Sequence, residues 1–185
     1  MRWTIKPDPE KEKVEKLAKE LQVTQTIASI LCQRNIETFE EAKNYFRPSV
    51  EQIHDPFLMK DMDAAVLRIE TAIANNENIL IYGDYDVDGT TAVSLVSSYL
   101  KTISSNIVTY IPDRYTEGYG VSYKGIDFAN DNDFSLIIAL DCGIKAIDKV
   151  AYAAEKKIDF IICDHHKPGL EIPKAIAVLN PKRED

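Results

Sequence analysis

The chain has 185 residues, 45% of them hydrophobic, which fits one globular domain with a small extra lobe and argues against disorder. Its 22 Lys and Arg residues face 30 Asp and Glu residues, giving a net charge of -8. Nucleic-acid-binding domains are usually basic, so this balance counts against a large phosphate-binding surface within the chain.

The three cysteines and the N-terminus predict a reduced, cytoplasmic protein. An odd number of cysteines without a CxxC pair indicates neither a disulfide framework nor a zinc knuckle, and Cys142 and Cys163 are expected to be packed core thiols. No apolar signal segment follows Met1, and no later apolar run is long enough to span a bilayer, so no membrane partner is expected.

The first part of the chain is predicted to be helical. Apolar residues from Val14 to Leu31 recur at helical spacing, and the helical pattern covers residues 9–46. The run Thr-Phe-Glu-Glu at residues 38–41 has the form of a capping box, which opens a short helix that ends near Phe46.

Two proline breaks separate this part from the rest. Pro48 and Pro56 predict a linker over residues 47–60. We therefore assign residues 1–55 to a small helical N-terminal segment and residues 56–185 to a second domain.

The second domain alternates between helical and strand patterns. Helices are predicted at residues 62–73, 90–103, 123–129 and 146–156. Apolar runs predict strands at residues 79–82, 106–111, 136–140, 160–163 and 175–179. This order predicts an α/β, Rossmann-like fold, with a parallel β-sheet flanked by helices on both faces and right-handed crossovers.

Metal-binding side chains follow three of these strands. The first motif is Gly-Asp-Tyr-Asp-Val-Asp-Gly at residues 83–89, the second is Asp-Cys-Gly at 141–143 and the third is Asp-His-His at 164–166. Because the carboxyl ends of parallel strands meet at one edge of the sheet, five Asp and two His are expected to share a crevice. Carboxylates packed this closely repel one another and need cations.

The residue types favour hard divalent ions. Oxygen-rich ligand sets suit Mg²⁺ or Mn²⁺, and an imidazole favours Mn²⁺. Two such ions about 3.5–4 Å apart can activate a water and stabilise both oxygens of an in-line phosphoryl displacement. Asp84 and Asp86 alternate after a strand and can point the same way, while Gly83 and Gly89 permit a tight turn.

The other motifs supply further candidates. Asp141, leaving the neighbouring strand, is the best candidate to bridge two ions, and His165 would supply nitrogen. His166 would meet a phosphate oxygen or orient its neighbour. Arg114, in a loop with Gly-Tyr-Gly at residues 118–120, is a candidate phosphate fork.

Each candidate has a structural alternative. The first motif also resembles the start of a calcium loop, but the twelfth position counted from Asp84 is Leu95 where an EF-hand needs Glu. Asp141 alone would suit a helix N-cap, and a His pair is often a surface turn. Arg114 would by default be solvated, and residues 118–120 would form a simple turn.

Together the three motifs resemble motifs one, two and three of the DHH phosphoesterase superfamily. Within it the chain is similar to the N-terminal part of the RecJ family of single-strand-specific 5′ to 3′ DNA exonucleases. Supporting stretches extend the resemblance over essentially the whole chain, at residues 30–34 with 36, 55–59, 111–114 with 117–120, and 180–181.

The resemblance implies a two-metal exodeoxyribonuclease, using Mn²⁺ or Mg²⁺, that removes nucleotides from the 5′ end of single-stranded DNA in repair and recombination. A single-strand-binding protein and a helicase are the partners it suggests. By position, the metal ligands correspond to Asp84, Asp86, Asp141 and His165. His166 corresponds to a residue near the scissile phosphate, Arg114 to a loop residue near the DNA, and Asp88 and Asp164 to residues behind the ligands.

Two departures bear on activity. Several superfamily members have a metal-binding His just before the first Asp pair, where this chain has Leu80 and Tyr82. The family's fourth motif, another Asp, has no counterpart here, and the polar end at residues 180–185 suggests a fragment. We therefore expect these 185 residues alone to bind metal weakly and to hydrolyse DNA poorly or not at all.

Two other functions stay open at this point. One is a phosphoesterase of the same superfamily that acts on oligonucleotides, cyclic dinucleotides or pyrophosphate. The other is a non-catalytic DNA-binding scaffold, which the intact ligands of the three motifs count against.

Overall fold

The computed structural model describes residues 4–185. Contacts group them into two compact units, one ending at His54 and the other covering Asp55–Asp185, and each is described by itself. The assignment of these segments as separate functional domains stays a prediction. In the described residues, no helix combines the length and the apolar character needed to cross a membrane.

The N-terminal unit consists of short helices around its own apolar core. The helices are α1 (Lys11–Leu21), α2 (Gln25–Cys32) and α3 (Phe39–Phe46), with a 3-10 turn at Val50–Gln52. The predicted capping box at α3 is present, because the Thr38 hydroxyl accepts from the Glu41 N–H and the Glu41 carboxylate accepts from the Thr38 N–H. The core side chains are Val14, Leu17, Ala18, Ala28, Leu31, Cys32, Ile36 and Ala42.

The second unit is a parallel sheet with four helices. The helices are α4 (Met62–Ala74), α5 (Val87–Leu100), α6 (Tyr123–Asp131) and α7 (Ile147–Glu155), preceded by a 3-10 turn at Pro56–Leu58. The strands are β1 (Asn78–Gly83), β2 (Ile107–Tyr110), β3 (Phe134–Leu140), β4 (Asp159–Cys163) and β5 (Ala177–Leu179). Helix α5 begins three residues earlier than predicted, because the Asp86 side chain caps it.

All five strands run parallel in the order β2-β1-β3-β4-β5. The chain adds β2 on one side of β1 and then returns to add β3 on the other side. The strand order therefore reverses at the boundary between β1 and β3, and ligands of open α/β sheets bind at the carboxyl ends of strands at such a point.

The two faces of the sheet carry separate cores. Side chains such as Ile79 and Ile81 pack against α4 and α5, whereas Leu80 and Tyr82 pack on the side of α6 and α7. Successive residues of a strand point to opposite faces, so a strand buried on both faces is apolar throughout. The predicted α/β fold with helices on both faces is confirmed.

An ion-pair network closes the opposite edge of the sheet. Arg68 of α4 donates from Nε to Asp159 at 2.6 Å and from a terminal nitrogen to Glu77 at 2.6 Å. Ser135 of β3 also donates to Glu77. One arginine thus ties α4 to the starts of three strands, at the end of the sheet away from the sequence motifs.

Candidate metal centre

The three motifs lie at the carboxyl ends of β1, β3 and β4. Since β3 lies between β1 and β4, Asp141 leaves the middle strand of the three. The fold thus brings together, at one edge of the sheet, motifs that lie far apart in the sequence.

Asp84 and Asp86 begin the turn from β1 into α5. Asp84 is fully buried, and one of its oxygens accepts from the N–H of Tyr85 at 2.8 Å. Its other oxygen, Oδ2, is buried without a hydrogen-bond partner. The exposed Asp86 accepts from the Gly89 N–H at 3.0 Å as the N-cap of α5, and this bond lowers its pKa.

The sequence predicts that the two glycines of this motif permit a tight turn, but in the structure they permit close packing. Neither has a positive φ, but a Cβ at Gly89 would lie 2.5 Å from the Asp84 carbonyl oxygen, and one at Gly83 would lie 2.2 Å from a methyl of Val93. Both are required for close approach of α5 to the end of β1. This approach sets where Asp84 and Asp86 lie.

Asp141 occupies a strained position between β3 and β4. Its backbone has φ +60°, and its N–H donates to the Cys163 carbonyl at 2.8 Å. Burial raises the pKa of its carboxyl, and the nearby Asp86 charge raises it further. The N-cap alternative fails for Asp141, since α7 starts at Ile147 with Ala146 as its N-cap.

Asp164 acts as a support for the third motif. Its Oδ2 accepts from the Ile144 N–H at 2.9 Å, and its Oδ1 accepts from the His166 N–H at 2.9 Å and from His166 Nδ1 at 2.7 Å. Burial alone would raise the pKa of Asp164, but these donors hold it below its usual range. The buried carboxylate therefore has its oxygens occupied by protein donors and fixes the His166 ring.

The hydrogen bond to Asp164 determines which ring nitrogen of His166 carries the proton. An ionised Asp164 accepts at Nδ1, so Nδ1 carries the proton and Nε2 faces outward, 3.3 Å from the Tyr119 hydroxyl. A neutral His166 thus presents a lone pair suited to a metal ion. A contact to a phosphate oxygen, as predicted, requires the imidazolium form.

His165 projects towards Asp141, with Nε2 3.0 Å from Oδ1. One ligand atom from each of Asp141, His165 and His166 lies within 4.8 Å of the others, which is close enough to share a cation. The predicted ligand set included His165 but placed His166 at the substrate, so the geometry adds His166 to the possible ligands.

The residues fit a divalent cation on two counts. Asp84 has a buried carboxylate oxygen without a donor, a costly arrangement unless a cation takes that place. Carboxylate oxygens suit Mn²⁺ and Mg²⁺, and imidazole nitrogens are ligands of transition metals, so the mixed set is compatible with Mn²⁺. Arg114, in contrast, makes no ion pair with these acids.

A cavity of about 510 Å³ opens beside these groups. Its polar wall is formed by Asp88, Asp141, Asp164 and His165. Its apolar lining includes Met59, Met62, Leu179 and Pro181. Asp88 therefore faces the cavity from the first turn of α5, close to the other acids.

The loop between β2 and α6 places Arg114 at the rim. The Arg114 guanidinium lies 5.1 Å from the centre of the Tyr85 ring, and the Tyr85 and Tyr119 rings are 6.2 Å apart. Gly118 and Gly120 have positive φ, so the predicted turn is present and holds Tyr119 near His166. Sequence reasoning missed both tyrosines, although Tyr85 stands directly between two predicted ligands.

A buried hydrogen-bond network supports this loop. Tyr82 donates to the Gly120 carbonyl at 2.9 Å and accepts from the Ser122 N–H at 3.1 Å. Glu117 accepts from Ser122 Oγ at 2.6 Å and from the Tyr110 hydroxyl at 2.9 Å. Tyr82 therefore supports the loop.

Comparison with known proteins identifies relatives of this arrangement. Residues 78–185 match the sequence pattern described as "DHH family, N-terminal domain". Over 183 residues the chain is 41% identical to the single-stranded-DNA-specific exonuclease RecJ of Bacillus subtilis strain 168, covering 99% of this chain and 23% of that protein. Over 128 residues it is 33% identical to the same exonuclease of Escherichia coli K12, covering 69% of this chain and 22% of that protein.

Two solved structures share the architecture. A structure of exonuclease RecJ bound to manganese is 28% identical with a TM-score of 0.64, covering 71% of this chain and 34% of the other. RecJ of Thermus thermophilus in complex with Mn²⁺ has a TM-score of 0.67 at 23% identity, covering 97% of this chain and 25% of the other. The chain spans about a quarter of the length of the relatives it matches in sequence.

Proposed function

This chain belongs to the DHH family, and we propose on that basis that it is the N-terminal, metal-binding part of a single-strand-specific 5′ to 3′ DNA exonuclease of the RecJ type. The reaction is hydrolysis of the phosphodiester nearest the 5′ end of single-stranded DNA, in repair and recombination. A single-strand-binding protein and a helicase are the proposed protein partners.

One observation carries this function: the acids and imidazoles of all three motifs meet at the carboxyl edge of β1, β3 and β4. The buried, donor-free oxygen of Asp84 adds a specific need for a cation. A manganese-bound relative at 28% identity supports Mn²⁺, with Mg²⁺ as the alternative.

We assign the metal ligands as Asp84, Asp86, Asp141 and His165, of which Asp141 would be the candidate to contact two ions. When bound, a pair of divalent cations supplies charge to activate a water and to stabilise the oxygens of an in-line displacement. Asp88 faces the same cavity and is placed behind the ligands. Burial and, after it, repulsion from Asp86 raise the pKa of Asp141, and a bound cation would favour its ionised form.

The substrate side belongs to His166 and Arg114. Asp164 holds the His166 ring, and with a proton on both nitrogens that ring can donate to a phosphate oxygen from Nε2. Arg114 lies over Tyr85 without an ion pair in the described residues, so its guanidinium has free donors for a phosphate.

Activity of this chain by itself is a separate question. The family resemblance predicts one further acidic ligand besides those of the three motifs. We propose that the chain binds Mn²⁺ weakly and needs the remaining part of a RecJ-type protein for efficient hydrolysis.

The function is tested with a single-stranded oligonucleotide that carries a 5′ phosphate and a 3′ label. The oligonucleotide is incubated with Mn²⁺ and either this chain or a version extended by the missing region of its relatives. A ladder that shortens from the 5′ end, seen with the extended protein and lost in Asp141→Asn, is the expected result. Arg34→Ala, in the N-terminal unit, is the matched control.

The alternatives give different results. Rapid hydrolysis of dinucleotides or pyrophosphate with no action on longer strands would identify a small-substrate phosphoesterase. Mn²⁺-independent DNA binding without any cleavage would identify a scaffold. Either outcome would overturn the exonuclease assignment.

A further inference from the structure

A second cavity, of about 230 Å³, adjoins the metal centre and shares Asp164 with the cavity described above. Its walls include Tyr119, Lys145, Lys149, Asp164 and His166. We propose that this cavity is an anion subsite, in which Lys145 and Lys149 hold a phosphodiester group of the single strand next to the scissile one. It serves the reaction proposed above and rests on that function.

The charges in this cavity differ in sign from those of the metal centre. Among the described residues that line it, Asp164 is the only carboxylate. Both Asp164 oxygens are already occupied, by the N–H of Ile144 and by two donors of His166. Its oxygens are therefore satisfied within the protein, and two lysines against one carboxylate give the lining a formal charge of +1 (2 - 1) in a chain with a net charge of -8.

Both lysines are available to a ligand. Neither forms an ion pair within residues 4–185. Lys149 is partly exposed, with its ammonium 5.4 Å from the centre of the Tyr123 ring, and Lys145 is exposed. Asp148 lies between them in the sequence but does not line the cavity.

The position next to the His pair indicates what the anion is. His165 lines the metal-side cavity and His166 lines the lysine-side cavity, and their rings are 4.8 Å apart. A polynucleotide carries a phosphate at every nucleotide. Because the carboxylates of the metal centre repel these phosphates, binding of the strand there requires cationic contacts to the neighbouring phosphates. A strand with one phosphate at the metal centre thus has an adjacent phosphate within reach of the lysines.

The first test is NMR on this chain, with inorganic phosphate and the dinucleotide pTpT as separate probes in the absence of metal. Saturable shifts of the backbone amides of residues 143–149 are expected with either probe. They should be lost in Lys145→Gln/Lys149→Gln and kept in Lys101→Gln, which removes an exposed cation beyond the far end of α5. Thermal melts of each variant confirm that it is folded.

The second test measures by fluorescence anisotropy how the extended protein binds a 3′-fluorescein dT12 strand in Ca²⁺ at increasing salt concentrations. Each neutralised phosphate contributes a slope of about -0.7 in log K against log salt for single strands, so the double variant, which loses the contact to one phosphodiester, should flatten the slope by about 0.7. Lys101→Gln should leave the slope unchanged. A double variant with wild-type shifts and slope overturns the subsite while leaving the exonuclease function intact.

The two failures are distinguishable. If phosphate and pTpT shift residues 143–149 of this chain but the extended protein does not bind dT12, the anion subsite stands and the DNA-based function is in error. If dT12 binds and the double variant leaves the slope unchanged, the DNA-based function stands and the anion subsite is in error.

Discussion

Substitution of Gly89 by alanine tests whether packing at the end of β1 sets the metal centre. The new Cβ would lie 2.5 Å from the Asp84 carbonyl oxygen and 2.7 Å from the Asp84 nitrogen, whereas ordinary contacts begin at 3.4 Å. The start of α5 must therefore move away from Asp84 by about 0.9 Å. The obstacle is backbone, so no side-chain rotation relieves it.

Two free-energy terms oppose each other in this variant. Alanine is favoured over glycine inside a helix by about 1 kcal/mol, and overpacking of this kind costs up to about 3 kcal/mol. We expect a net loss of about 2 kcal/mol, which lowers the Tm by about 4–8 °C for a chain of this size. Thermal unfolding by circular dichroism measures the loss.

The same movement should weaken metal binding. Asp86 moves with α5 while Asp84 stays with β1, and metal–ligand distances tolerate only about 0.2 Å. We expect Gly89→Ala to lower Mn²⁺ affinity by at least about tenfold, measured by EPR of free Mn²⁺. Gly169→Ala is the matched control, because its Cβ would meet nothing closer than 3.5 Å. A Gly89→Ala chain with wild-type Tm and Mn²⁺ affinity would refute the reasoning.

Three further variants test other parts of the fold. Arg68→Ala should cost about 3 kcal/mol in urea unfolding, because it strands Glu77 and Asp159 without their shared partner, whereas exposed Arg34→Ala should cost less than about 0.5 kcal/mol. Glu117→Gln should cost about 1–2 kcal/mol at pH 7. Because hydrogen bonds lower the pKa of Glu117 despite its burial, this cost should fade as the pH drops below 4.5, and a constant difference would contradict the assignment. Asp141→Asn should raise the metal-free Tm by about 2–4 °C, since it removes a carboxylate whose pKa is raised, and should abolish the Tm gain with added Mn²⁺. A lower metal-free Tm in that variant would contradict the proposed repulsion.

Much of the fold could be predicted because its signals are local. A strand buried on both faces must be apolar throughout, and β1, β3 and β4 each show such a run directly before their acids. Parallel pairing then brings those acids to one edge. The three motifs therefore specify the position of the candidate site without knowledge of the side-chain geometry.

The contacts that hold the site in place could not be predicted from the sequence, because many of them join residues that are far apart in the chain. Tyr82 reaches Gly120 and Ser122 across about 40 residues of sequence, and nothing in the local pattern distinguishes it from an ordinary core tyrosine. The sequence pattern predicts a turn at Gly89, whereas the role of this glycine depends on how closely α5 approaches β1. Both features follow from packing between elements, which hydrophobic periodicity does not encode.

Several features of the candidate centre are energetically unfavourable without a cation. Asp141 combines a left-handed backbone with a carboxyl whose pKa is raised by burial and by Asp86, and Asp84 buries an oxygen without a donor. Strain and uncompensated charge of this kind persist where the surrounding structure enforces them. Asp164, in contrast, is also buried but has its oxygens satisfied by protein donors. Asp84 and Asp141 are therefore the acids whose burial is unfavourable and that a bound cation would stabilise. Asp164 instead positions a histidine.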